Sequence, residues 1–312
     1  MINRNIATFT RIVTLLIAVI MMVLCFNACV KEKPKNYTET PQITDKPTPT
    51  QTPVPEPTNT PSGEIITITY LDVGQGDSAF IELPGGKTML IDASESKASD
   101  DIISFISGKE YKRIDYLVAT HPHADHIGGM KAVIEAFDIG EIYMPKASTN
   151  TKTYEKLLLA IADKGKKIKA ASAGMTICEG VEVIAPNSDK YENLNDYSVV
   201  IKITHGNNKF LFMGDAETIS ENEIMNAGFD VSADVIKVGH HGSGTSSGAN
   251  FVKATGAKYA VFSAGKGNSY NHPHTFIVER WQKAGAAIFR TDLSGNITAT
   301  SDGVNVDVTT QK

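Results

Sequence analysis

The sequence changes character at Gly63-Glu64, and that change bounds what can fold. Residues 30–63 hold eight Pro and eight Thr in 34 positions, as in Lys46-Pro47-Thr48-Pro49-Thr50 and Pro53-Val54-Pro55-Glu56-Pro57. Almost no large apolar side chain accompanies them. Such a stretch cannot bury a core, and its composition favours extended polyproline II. It reads as a disordered linker, and at ~3.1 Å per residue it could reach roughly 100 Å. From residue 64 to 312 the pattern becomes short strands and amphipathic segments, with ample apolar residue for a core.

Within 64–312, residues 65–71 alternate apolar and polar at period two. Residues 79–83 and 88–91, joined through Pro84-Gly85-Gly86-Lys87, read as a hairpin, and 114–119 as a buried strand. Residues 199–203 and 210–213 read as a second hairpin. Its turn is expected at His205-Gly206-Asn207-Asn208, which leaves His205 exposed. Helices are expected over 154–164, 217–227 and 276–284, the last with Trp281 packed inward, and a strand over 235–238. Hairpins followed by strand–helix alternation, twice over, imply an α/β domain of two sheets with helices outside, four layers in all.

The first 29 residues read as an export signal. Arg4 and Arg11 flank a polar start, and residues 12–26 are almost unbroken apolar. The run is shorter than the ~20 residues of a spanning helix. Ala28-Cys29 at its end resembles a bacterial lipobox, with Phe26 standing where Leu is usual. That resemblance implies cleavage before Cys29 and lipid attachment to it; an uncleaved N-terminal anchor is the alternative. Either way residues 64–312 are expected on the extracellular face of the cytoplasmic membrane. Of the three cysteines only Cys178 lies in 64–312, so no disulfide can form within that region.

The chain carries 30 Lys+Arg and 35 Asp+Glu. Six of the bases and four of the acids precede residue 64, which leaves 24 bases, 31 acids and a net charge of −7 for 64–312. Such a domain has no general attraction for nucleic acid. Bound metal or a local basic patch must supply positive charge if the substrate is a phosphate ester.

Histidine placement carries the chemistry. Seven of the eight His fall in three clusters. His121-Pro122-His123-Ala124-Asp125-His126 directly follows a strand and is followed by Ile127-Gly128-Gly129. Gly239-His240-His241-Gly242-Ser243 follows residues 235–238, and Asn271-His272-Pro273-His274 precedes a helix. Between them an apolar strand ends in Gly214-Asp215. Imidazoles and carboxylates at such spacing are ligands for Zn²⁺ and similar ions.

The motif His121-x-His123-x-Asp125-His126 resembles the signature of the metallo-β-lactamase superfamily of dinuclear metal hydrolases. The resemblance implies an αβ/βα sandwich. It puts Asp215 at the bridging-Asp position, one of His240/His241 at the last-His position, and Asp92 at the early Asp that supports the metal loop. Leu71-Asp72-Val73-Gly74-Gln75-Gly76-Asp77-Ser78, residues 120–129, residues 237–243 and Asn271-His272-Pro273-His274 resemble the hydrolase domain of the ComEC/Rec2 DNA-uptake family. That family's membrane channel has no counterpart here. The His that usually completes the first metal site is also missing, and Asn195-Asp196-Tyr197-Ser198 stands in its place.

The resemblance therefore implies a first metal on His121, His123 and Asp215, and a second on Asp125, His126, Asp215 and His241 or His240. One or two divalent ions, Zn²⁺ or Mn²⁺, are the expected cofactors, the oxygen-richer first site suiting Mn²⁺. Metal lowers the pKa of bound water and yields hydroxide near neutral pH. The expected function is a surface-anchored hydrolase, a phosphodiesterase or nuclease acting on extracellular DNA, with no protein partner. Asp125, Lys237, His240, His272 and His274 are expected to assist catalysis, the last two as proton donors. Asp77, Asp92, Asn195 and Ser243 are expected in support or substrate contact, with Gln75 beside Asp77. Backbone N–H groups of residues 242–248 are expected to bind phosphate. The alternatives are a hydrolase of another ester, such as choline-phosphate, and a non-catalytic surface module.

Overall fold

The computed structural model describes residues 63–312. The expected export signal, Cys29 and all of the linker except Gly63 lie outside the described residues.

Strands β1 (Ile66–Tyr70), β2 (Ala79–Glu82), β3 (Thr88–Ile91), β4 (Arg113–Val118), β5 (Asp138–Pro145) and β6 (Ile168–Ala171) build one sheet. The chain then crosses to the second sheet: β7 (Met175–Cys178), β8 (Val181–Ala185), β9 (Val200–His205), β10 (Asn208–Phe212), β11 (Val235–Lys237), β12 (Tyr259–Phe262) and β13 (Ala287–Arg290). Finally β14 (Ile297–Ser301) and β15 (Val306–Thr310) return to the first. The orders are β15-β14-β1-β2-β3-β4-β5-β6 and β13-β12-β11-β10-β9-β8-β7.

Period-two burial explains the layers. In β1, Ile66, Ile68 and Tyr70 face the second sheet, where they meet Phe210, Phe212, Val183 and Ile201. The outer face of the first sheet is covered by α1 (Ser99–Gly108), α2 (Met130–Ala136) and α3 (Lys152–Asp163) through Ile102, Ile106, Val133, Ile134, Leu157 and Ile161. The outer face of the second is covered by α4 (Thr218–Asn226), α5 (Ala249–Thr255) and α6 (Thr275–Lys283) through Ile224, Phe251, Val252, Ile277 and Trp281. The four-layer α/β sandwich expected from the sequence is the observed fold.

Both expected hairpins form, but the second turn is tighter than expected. His205 is the last residue of β9 and pairs with Asn208 of β10, so Gly206-Asn207 alone makes the turn. His205 is 7% exposed, and its Nδ1 lies 3.1 Å from Ser301 Oγ. The expectation of an exposed His205 was wrong because β14 packs over this turn. Gly206 approaches Gly303 so closely that a Cβ would lie 2.3 Å from its carbonyl oxygen. His205 nonetheless sits far along the strand from Asp215, as expected.

The parallel pairs β3–β4 and β10–β11–β12 decide where the chemistry lies. Their carboxyl ends all open on the same edge of the sandwich, where loops of parallel strands make sites. Trp281 ties that edge to α6: its Nε1–H donates to Ser247 Oγ at 3.1 Å. Trp281→Ala should destabilise the protein by about 3–5 kcal/mol through the cavity and the lost hydrogen bond. Leu159→Ala on the exposed face of α3 should cost under ~0.5 kcal/mol, and urea titration of both variants checks the contrast.

Candidate metal centre

Each ligand side chain is delivered by a strand end. The loop after β4 carries His121 and His123, and a single helical turn, Ala124–Ile127, turns Asp125 and His126 back toward them. Gly214 after β10 has φ +53, and a Cβ there would lie 2.9 Å from Thr120 Cβ. Only glycine lets the chain bend there and bring Asp215 against the histidine loop. The loop after β11 holds His240 and His241 at φ 48 and 53, a left-handed conformation that costs non-glycine residues energy and recurs at functional sites. That turn aims the two imidazoles apart.

The result is a compact donor set. Asp215 Oδ1 lies 3.2 Å from His126 Nε2 and 3.4 Å from His241 Nε2, and Asp125 Oδ2 lies 3.3 Å from His241 Nε2. Asp215 Oδ2 faces the other way, 3.8 Å from His121 Nε2. His121 Nε2 is 2.9 Å from His123 Nδ1. Two groups therefore share Asp215: Asp125, His126, Asp215 and His241 in one, and His121, His123 and Asp215 in the other. Of the two candidates for the last His, the geometry selects His241.

These atoms fit a cation. His126 Nε2, His241 Nε2 and Asp215 Oδ1 are buried and make no hydrogen bond, although each faces the others. Buried polar atoms are rarely left unpaired. The outer nitrogens are engaged, so the inner lone pairs are free. His126 Nδ1 donates to Asp92 Oδ2 at 2.8 Å, and His241 Nδ1 donates to Ser263 O at 3.0 Å with Asp77 Oδ1 at 3.1 Å beside it. Carboxylates and carbonyls behind metal-bound imidazoles commonly fix the tautomer in this way. Charge points the same way. Asp77, Asp92, Asp125 and Asp215 gather around the histidines, and Lys237 pairs with Asp77 alone, so the other carboxylates have no ammonium partner if the imidazoles are neutral. Without a cation, the imidazoles take up the deficit. Burial opposes the charge on His126, yet Asp215, Asp92 and Asp125 hold its pKa well above the ordinary imidazole value. His241 behaves likewise beside Asp215 and Asp77. Burial and His126 push His121 well below it.

The supporting residues lie as follows. Asp92, at φ 59, accepts from Thr120 N at 2.8 Å and Thr120 Oγ1 at 2.6 Å. Asp77 pairs with Lys237 beneath the centre. The cleft above, of about 320 Å³, is lined by Gln75, His123, Asp125, Asn195, Asp215, His240, His241, Tyr270 and His272, with Ala124.

Three expectations are corrected and one is narrowed. Lys237, expected to assist the reaction, shares the inward face of β11 with Val235; it is 3% exposed, and its Nζ is taken by Asp77 and by Gly214 O at 3.2 Å. It sits beneath the centre, against Asp77. His274, expected as a proton donor, lies outside the cleft lining, and its Nδ1 accepts from Gly244 N–H at 2.9 Å. Ser243, expected in support or substrate contact, is buried with its Oγ 3.1 Å from Thr245 Oγ1, which leaves only the supporting position. The expected phosphate-binding loop already holds an internal carboxyl group: Ser247 and Gly248 N–H donate to Glu221 Oε1 and Oε2 at 2.5 and 2.8 Å.

Sequence reasoning missed Glu217, Tyr270 and Thr120. The sequence pattern starts a helix at Glu217; in the structure it precedes α4 and faces His240 Nδ1 at 3.1 Å while accepting from Asn195 Nδ2 at 3.0 Å. Its spacing of two from Asp215 was the available signal.

Fold and donor set together define a metal-dependent hydrolase of the metallo-β-lactamase type. The chain belongs to the metallo-β-lactamase superfamily, which matches residues 71–266 under the description "Metallo-beta-lactamase superfamily". Among curated relatives, ComE operon protein 3 of Bacillus subtilis is 31% identical over 250 residues, 74% of this chain and 32% of that protein. Competence protein ComA of Neisseria gonorrhoeae is 29% identical over 229 residues, 73% of this chain and 31% of that protein. The chain thus spans about a third of the length of these relatives. The solved structure of the metallo hydrolase Igni18 from Ignicoccus hospitalis shares the fold at a TM-score of 0.50 and 14% identity, covering 75% of this chain and 98% of that one. The CmlA beta-hydroxylase E377D mutant does so at 0.51 and 17%, covering 79% and 54%.

Two measurements follow. Asp92→Asn should weaken divalent-metal binding about 10–100-fold, read by competition against a chromogenic chelator. Glu221 is the second. Burial lifts its pKa from 4.5 to about 7, against the pull of the Gly248 and Ser247 amides and Arg280. A raised carboxyl binds its proton more tightly in the folded state. Its contribution to stability is therefore full below pH ~4.5 and is lost as pH rises through about 7. Between pH 5 and pH 8, Glu221→Gln should gain up to about 3 kcal/mol relative to the parent in urea titrations.

Proposed function

We infer that the protein is a metal-dependent phosphodiesterase whose substrate is a nucleic acid strand. The observation that carries the reading is the set of unpaired, buried ligand atoms of His126, His241 and Asp215 at the floor of an open cleft. The cleft walls contain no Lys or Arg and, Ala124 aside, no aliphatic side chain. An anionic substrate must then be held through metal, and an apolar ester finds little to bury. The nucleic acid part rests on likeness to competence proteins.

One or two divalent ions, Mn²⁺ or Zn²⁺, would be held by His121, His123, Asp125, His126, Asp215 and His241; bound, they acidify water and offset phosphoryl charge. The chain's own groups do the rest. Glu217 fixes the His240 ring through Nδ1 and leaves Nε2 toward the cleft, 3.8 Å from Asp215 Oδ2, where it can pass a proton to a leaving oxygen. His272 suits this less well: burial and the neighbouring His241, His240 and His274 push its pKa down to about 4, so its ring is neutral near pH 7. Asn195, held on Glu217, is placed to contact substrate. The N-terminal export signal and Cys29 complete the proposal, tethering the enzyme by lipid on the outer face of the membrane. No helix among the described residues is long and apolar enough to span a bilayer.

The test is cleavage of a labelled DNA strand by the full chain with added Mn²⁺ or Zn²⁺. Cleavage should vanish with EDTA and with Asp215→Ala. His240→Ala should lower kcat by about 10²-fold or more while metal content is retained. Absence of cleavage with either metal would refute the DNA assignment, and turnover of choline-phosphate esters instead would redirect it.

A further inference from the structure

A run of aromatic rings leads out of the cleft. Tyr270 stacks on His272 at 5.6 Å and 24° between planes, His272 meets His274 edge-on at 5.0 Å, and His274 stacks on Phe276 at 5.7 Å and 19°. The inner end touches the metal site, since His272 lies 5.5 Å from His240 and 6.2 Å from His241. At the outer end the Arg280 guanidinium sits 5.8 Å from the Phe276 ring centre.

Single exposed aromatics are ordinary on protein surfaces. This arrangement differs in two ways. Tyr270 stays 61% exposed and Phe276 52% exposed even though each is stacked on a histidine. The backbone that carries Tyr270 is also pinned: Asn268 Oδ1 accepts from Tyr270 N at 3.1 Å and His272 N at 3.0 Å, and Asn268 Nδ2 donates to His272 O at 2.6 Å and Gly265 O at 2.8 Å. His274 is held by Gly244 N–H. The backbone under Tyr270 and the His274 ring under Phe276 are thus held in place, which lowers the cost in ordering when a flat ligand lands on the two rings.

We propose that Tyr270 and Phe276 form a stacking track for unpaired nucleobases, which makes the substrate a single-stranded polynucleotide threaded from Phe276 to the metal centre. The inference rests on the phosphodiesterase reading and specifies its substrate. A domain with net charge −7 cannot rely on the phosphate backbone for affinity. Stacking is the other general source of strand affinity, and it accepts any base sequence. In a duplex the base faces are stacked on the neighbouring pairs and cannot meet these rings.

The experiment uses the metal-loaded full chain with a single-stranded DNA oligonucleotide, the same strand in duplex, and a strand of equal length made of abasic sites. KM and the Kd from fluorescence anisotropy are both measured. The single strand should bind about ten-fold or more tighter than the abasic strand and the duplex. Tyr270→Ala and Phe276→Ala should each reduce that preference about ten-fold, Tyr270→Phe should keep it, and Leu159→Ala on a distant face should not alter it. Equal affinity for base-bearing and abasic strands, or a preference that survives both alanine variants, overturns the proposal. If no phosphodiester is cleaved, the phosphodiesterase reading fails, and the anisotropy comparison still decides the track.

Discussion

Four carboxylates converge at the edge where the two sheets meet, and most of the local architecture follows from the need to neutralise them. Asp77, Asp92 and Asp215 are buried, and Asp125 stands at the rim. One ammonium, Lys237, is built in from below. Isolated buried charge is far too costly to persist. The remaining negative charge is met by His126 and His241, either as imidazolium or as ligands that share a divalent cation. The inner nitrogens without hydrogen bonds show which arrangement the site is shaped for.

The surrounding structure serves that arrangement at two distances. Close in, Thr120, Asp92, Asp77 and Ser263 hold the outer nitrogens of the ligands, so their lone pairs aim inward. Further out, the glycine bend at Gly214 and the left-handed pair His240-His241 give the chain its direction at the strand ends. The close approach of Gly76 to the Asp125 carbonyl, 2.2 Å from an imagined Cβ, locks the Asp77 loop against the histidine loop. Opposite it, Glu221 gathers the amides of residues 247–248 and so steadies the loop after His241.

Reading the sequence located the ligands but not always their neighbours. The His121–His126 cluster was legible because three imidazoles and a carboxylate in six residues have few other uses. The alternation of 65–71 and the hairpin signals around residues 84–87 gave the sandwich. Other parts were silent. Helices α1, α2 and α5 and strands β5 to β8 and β12 to β15 are not legible in the sequence, since most are short segments that carry little periodicity. Lys237 looked catalytic because it adjoins Gly239-His240-His241, yet strand alternation faces it into the space between the sheets. His205 looked exposed because a turn was expected there, and only the return of β14 covers it.

Through its resemblance to the metallo-β-lactamase signature the sequence marked Asp215 as the carboxylate shared by two histidine groups; by itself it determined the four-layer class and the location of the donors at strand ends. Those features are written in local pattern: residue type, spacing, and the alternation that sets one face against another. Only the tertiary structure decided between His240 and His241, paired His240 with Glu217, put Lys237 beneath the centre, filled the loop of residues 243–248 with an internal carboxylate, and aligned Tyr270 with Phe276. Each of these depends on the direction in which a side chain leaves its turn and on contacts between segments far apart in the chain. Local spacing carries no record of either.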